Sequence, residues 1–223
     1  ATGACCDGQN CTITTQAVCG AIYRGDDILC NPNPCQAAPP CTAITGTVPA
    51  NCSIDARRPY PPNTPSTLEG LTSIDLTFDC DTANHTTADY LVSVTPSGTV
   101  PTVSSVTPAG TSIRLDLSGP IPAGAWTCFT HTPSSLTKCV GFLPADANGG
   151  RASAQADILD IVDHLNGVRV PALTLPQCDI DRSGVCAPAD LLTEIDLLNG
   201  TNGFAVWNGR TLPPSQEECD RQR

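Results

Sequence analysis

Seven of the fourteen cysteines fall in the first 44 residues, at positions 5, 6, 11, 19, 30, 35 and 41. That stretch has few large apolar side chains and ends in NPNPCQAAPPC. It cannot bury enough surface to hold a fold by itself, so disulfides must staple it. Cysteine at this density belongs to an oxidising compartment, because cytosolic thiols are kept reduced. The adjacent pair Cys5–Cys6 and the lack of any C-x-x-C spacing argue against a zinc module. The chain has no Met and starts at Ala1, as a secreted chain would after loss of a signal peptide. The expected location is extracellular or at the cell surface. No apolar run approaches the roughly 18 residues of a membrane span.

Charge narrows the partners. Eleven basic and 22 acidic side chains give a net charge of −11, which argues against nucleic acid and anionic membranes. Residues 143–200 hold nine Asp or Glu and three Arg. Cations are the natural counter-charge there.

The expected architecture is multi-module. Residues 1–44 form the disulfide-rich segment. Residues 45–142 read as an all-β antiparallel sandwich, from the short alternating runs TSIDLTFDC, DYLVSVTP, TVSSVTP, SIRLDLSG and AWTCFTHT. In SIRLDLSG, the alternation turns Ile113, Leu115 and Leu117 to the core and Arg114 and Asp116 to water. The Pro-rich DARRPYPPNTPSTLEG is a long loop across one end. Residues 143–214 form a small all-α module. Apolar positions 158, 159, 161, 162 and 165 define one helical face, and 191, 192, 195, 197 and 198 another. Both helices stop at Asn-Gly, and Phe204 and Trp207 are expected to pack back onto them. Residues 215–223 are a polar tail.

The helical module carries the chemistry. DANGGRASAQADILDIVDHLNG (146–167) aligns without a gap with DIDRSGVCAPADLLTEIDLLNG (179–200), 33 residues on. A calcium loop spaces oxygen ligands at positions 1, 3, 5, 7 and 12 of twelve residues, with Gly at 6. The second loop offers Asp179, Asp181, Ser183, the Val185 carbonyl and Asp190, with Gly184 at the turn. The first offers Asp146, Asn148, Gly150, the Ala152 carbonyl and Asp157, but Gly150 has no side-chain ligand and Arg151 stands where Gly is usual. The second loop is thus the more complete of two expected Ca²⁺ sites. A metal-free alternative is that Asp157 and Asp190 simply favour helix N-termini.

Two such loops, each followed by a helix, resemble a type I dockerin, whose F-hand lacks the entering helix of an EF-hand. The opening GACCDGQNC, followed by AVCGAIYRGDD, is similar to Cys-rich repeats of large secreted bacterial proteins. So is the order of sandwich, GFLPAD, paired loops and WNGRTLP. The resemblance implies a location and a fold, and a protein partner through the paired-loop helices. The polar pair that serves cohesin recognition in dockerins is replaced here by Gln155–Ala156 and Pro188–Ala189.

No catalytic signature stands out: there is no G-x-S-x-G, H-E-x-x-H or phosphate loop, and His85, His131 and His164 are scattered. The sequons at Asn10, Asn51, Asn84 and Asn199 are glycosylation candidates. The expected disulfides are Cys52–Cys80, Cys128–Cys139 across a hairpin, and Cys178–Cys186 closing the second loop. That pairing leaves Cys219 and an odd count in residues 1–44, which points to a bond between them or across to another chain. The leading expectation is therefore a non-enzymatic extracellular structural protein that self-associates head to tail into a filament or cell-surface assembly. The alternatives are a dockerin-like tethering module, and an enzyme with an unmarked site.

Overall fold

A computed structural model describes residues 1–7, 10–31, 40–59, 71–96 and 98–214. Cys35, Cys219, the tail 215–223 and most of the expected Pro-rich loop lie outside the described residues. The chain divides into two compact units, Ala1–Pro40 and Cys41–Arg223. Among the described residues, no helix is long and apolar enough to cross a membrane.

The first unit is a three-stranded antiparallel sheet with β1 (Gly3–Asp7) between β2 (Asn10–Thr14) and β3 (Ile22–Asp26). The bonds Cys5–Cys19 and Cys11–Cys30 staple it.

The second unit contains two four-stranded sheets. One has the order β4 (Ile44–Val48), β6 (Ser73–Phe78), β9 (Ser112–Leu117), β8 (Val103–Ala109). The other has the order β5 (Ile54–Asp55), β11 (Leu136–Phe142), β10 (Ala125–His131), β7 (Tyr90–Thr95). Among the described residues, all pairings in these sheets are antiparallel except β5 with β11. The sheets share a core of Ile74, Leu76 and Phe78 from β6, Ile113, Leu115 and Leu117 from β9, and Tyr90, Phe129, Val140 and Phe142 from the facing sheet. The expected alternation of β9 is what places its three aliphatic residues in this core.

A second apolar cluster lies on the opposite face of the β5–β11–β10–β7 sheet. It joins Ile54, Trp126 and the Cys128–Cys139 bridge to Ile161 of α1 (Gln155–Leu165), Cys178 of α2 (Leu175–Cys178), Leu197 and Leu198 of α3 (Pro188–Asn199), and Trp207. A common core therefore runs across the boundary expected at residues 142/143. In β10, Phe129 packs toward the sandwich while Trp126 and Cys128 pack toward the helices. The final segment closes over the joint: Trp126 Nε1 donates to the Pro213 carbonyl at 3.1 Å, and Trp207 N donates to the Leu197 carbonyl.

Two expectations are corrected. Cys80 is bonded to Cys41, not to Cys52. Ile44 pairs with Phe78 across β4 and β6, so the residues just before β4 and just after β6 are neighbours. Cys52 follows β4 and lies by the other sheet, where its amide donates to the Cys139 carbonyl; it too is disulfide-bonded. With Cys41 in the second unit, the units contain six and eight cysteines. Both counts are even, so parity no longer calls for a bond to another chain. The second correction concerns Leu159, Leu192 and Ile195, which are exposed. Each helix packs on one side only, through Ile158, Ile161 and Leu165 in α1 and Leu191, Leu197 and Leu198 in α3.

Gly141 sits where three elements converge. A Cβ there would lie 2.9 Å from Leu212, 3.0 Å from Trp126 and 3.1 Å from Ile54, so the close approach of these side chains requires the absent methyl. Gly141→Ala should destabilise the second unit by about 1–3 kcal/mol through overpacking. Urea unfolding checks this, with the red shift of Trp fluorescence as the signal.

Candidate metal centre

The 33-residue repeat in sequence is a repeat in backbone. Asp157 accepts the amides of Asn148 and Ala154, each at 2.9 Å. Asp190 accepts those of Asp181 and Ala187 at 3.0 and 2.7 Å. Gly150 N donates to Asn148 Oδ1 at 2.6 Å, and Ser183 N to Asp181 Oδ1 at 2.9 Å. Arg151 N donates to Asp146 at 2.9 Å, and Gly184 N to Asp179 at 3.1 Å. Every pair is related by the same offset. The sixth loop position is left-handed in both, with φ 71° at Arg151 and φ 91° at Gly184, so Arg151 adopts a conformation that glycine holds more cheaply. The bond Cys178–Cys186 brackets the second loop, with its Cα atoms 5.3 Å apart.

The donor set is all oxygen, which suits a hard divalent cation. Carboxylate oxygens of Asp179, Asp181 and Asp190 lie within 4.8 Å of one another. Two calcium–oxygen bonds of about 2.4 Å span that distance end to end. The amides that cap Asp157 and Asp190 use one lone pair on each oxygen. A carboxylate has about four such sites, so helix capping and metal ligation are compatible. The residues present fit calcium.

The surroundings of the two loops differ. Behind the second loop, Arg182 Nε donates to the Arg58 carbonyl at 2.8 Å, and its guanidinium lies 3.8 Å from Asp55. Asp55 is fully buried and also paired with Arg57 at 2.8 Å. This basic cluster ties the second loop to β5. Behind the first loop stands Glu194 of α3, 0% exposed, with neither carboxylate oxygen hydrogen-bonded among the described residues. Burial, and then the charges of Asp157 and Asp146, push its carboxyl up to about 9. Burial also raises Asp157 and Asp190. Among the described residues, Asp146, Asp157 and Glu194 do not form a group whose oxygens all lie within 4.8 Å of one another, as the trio of the second loop does. Glu194 escaped the apolar count of α3, yet the sequence carried a signal for it: at the 33-residue offset it aligns with Ile161, a core position.

Among the described residues, two other groups of potential ligands, Cys41–Cys80–His85 and His164–Cys178–Cys186, consist mainly of bonded cystines, which offer no thiolate to a metal. His164 Nδ1 instead accepts the Leu173 amide at 3.1 Å. His85 and His131, far apart in sequence, stack with ring centroids 4.6 Å apart and 9° between planes. Tyr90 Oη bonds His85 Nδ1 at 2.6 Å, and Ser134 Oγ bonds His131 Nδ1 at 2.6 Å. Of the sequon residues, Asn10, Asn84 and Asn199 are exposed, whereas Asn51 Oδ1 accepts the Cys139 amide at 2.9 Å.

No family model matches the chain, and no curated protein matches it. Among solved structures it is similar to L,D-transpeptidase 3 from Mycobacterium tuberculosis in complex with a faropenem-derived adduct, at 13% identity and a TM-score of 0.28. The match covers 47% of this chain and 39% of that one. A likeness of that size carries no argument about fold or activity.

The stacked histidines give a pH dependence with a definite sign. Burial lowers both below 6.5, and the His85 charge lowers His131 further, against the opposing pull of Asp89 on both. The unfolded chain then binds protons that the folded chain refuses, so stability present above pH 6.5 is lost as pH falls below it. Thermal melts of wild type and His131→Gln should diverge between pH 7.5 and 5, with the variant losing less. Parallel curves would show that the stack does not titrate with folding.

Proposed function

We propose that the chain is a non-enzymatic extracellular structural subunit, clamped by disulfides and by two calcium ions, which assembles into a filament or cell-surface layer. The observation that carries this reading is the anchorage of the paired loops. They share a core with the sandwich through Trp126, Ile161, Leu197 and Trp207, and the second is tied to buried Asp55 through Arg182. Cations bound there would brace the whole second unit. The disulfides fit secretion. The strands β4, β7 and β8 end their sheets on at least one side, and strand edges offer backbone groups to a neighbouring copy. Exposed Asn10, Asn84 and Asn199 are the better-placed carriers of N-linked glycan.

Calcium in hundredfold excess over its Kd should stabilise the folded chain by about 2.7 kcal/mol per site. Melts with calcium and with chelator measure this, and an unchanged midpoint would refute the calcium clamp. Negative-stain microscopy of concentrated protein with calcium should show filaments; a uniform monomer would refute the assembly.

One observation favours a second reading, a tethering module of dockerin type. Leu159 and Leu192 occupy equivalent positions in the repeat and are 65% and 68% exposed. On that reading, immobilised chain captures a secreted protein in calcium, and neither Leu159→Asp/Leu192→Asp nor chelated protein does so. Capture that survives both changes would exclude the paired helices as the docking face.

A further inference from the structure

We propose that the first loop binds its divalent cation with Glu194 of α3 as a third carboxylate, reached directly or through one bound water, which makes it the tighter of the two sites. The inference rests on the calcium reading. It adds a residue outside the loop and reverses the order of affinity that the loop sequences suggest.

Packing does not account for Glu194. Its counterpart in the repeat, Ile161, is equally buried and apolar, so this position in the register is a core position. A glutamate there loses its hydration, and among the described residues neither of its oxygens has a hydrogen-bond donor. Buried polar groups are ordinarily satisfied, and a specific exception calls for an explanation such as an ion. The acidic side chains acting on Glu194 are Asp157 and Asp146, both fully buried and both ligands in the proposed first site. Three carboxyl groups buried together repel one another once all are ionised. A divalent cation among them replaces that repulsion with attraction.

The ligand count points the same way. Gly150 leaves the fifth position of the first loop without the side-chain oxygen that Ser183 supplies in the second, and Glu194 makes up the number. The charge balance then separates the sites. The second loop has the Arg182 guanidinium packed behind it beside Asp55 and Arg57, which weakens the pull on a cation. The first has the additional carboxylate of Glu194, on which Asp157 and Asp146 act.

Calcium titration by calorimetry on the full disulfide-bonded chain tests this. Asp179→Asn is used as the background that disables the second loop. Glu194→Gln, which keeps the shape and removes the charge, should weaken the remaining site at least tenfold. Glu194→Ile, which installs the residue of the other half-repeat, should raise the melting temperature of the chelated protein and shrink its calcium-induced rise. A purely structural glutamate would not produce that opposite pair of shifts. Affinity unchanged within twofold in Asp179→Asn/Glu194→Gln would overturn the role of Glu194 while leaving two calcium sites standing. Wild-type chain that takes up no calcium at millimolar concentration would overturn the calcium reading, and this inference with it.

Discussion

The second unit depends on a hairpin buried on both faces. Strands β10 and β11 give Phe129, Val140 and Phe142 to the sandwich, and Trp126 with the Cys128–Cys139 bridge to the helices. A sheet of an ordinary two-layer sandwich alternates apolar and polar residues along its strands. One covered on both faces reads as a continuous apolar run, and the first five residues of β10 are all buried. The paired loops acquire their positions from this surface: α1 and α3 rest on it, and the segment around Thr211 pairs with Ala152 to hold the first loop from outside.

Identical backbone hydrogen bonding does not make the two loops equivalent. Their side chains face different surroundings, an arginine pair on a buried aspartate behind one and an unpaired glutamate behind the other. Spacing rules describe what a loop contributes to a site. The field at the site also depends on what the rest of the fold places against it, and here that contribution differs in sign.

Local periodicity made part of this fold legible. Strands β6 to β10 stood out as alternating runs, and the paired loops stood out through oxygen-bearing residues at fixed spacing. Strand β5 is two residues long and owes its existence to its partner β11, so no pattern within it could announce it. The sheet of the first unit was hidden because β1 and β2 carry cysteines and small or polar residues, and β3 (IYRGD) has no alternating apolar pattern. Cys41–Cys80 followed from the register of β4 on β6, which a single sequence does not provide. Glu194 was hidden because the helical face of α3 was drawn through its apolar residues. A wheel started at Asp190 places Leu191, Glu194, Leu197 and Leu198 together, the face the structure buries.

The helix of the second half-repeat lays Glu194 against the acidic pair of the first. The first half is therefore incomplete without the second. Such a tandem unit does not behave as two beads on a string. Its first half could not be excised, duplicated or grafted onto another scaffold with its electrostatics intact, because part of its charge is encoded some forty residues downstream.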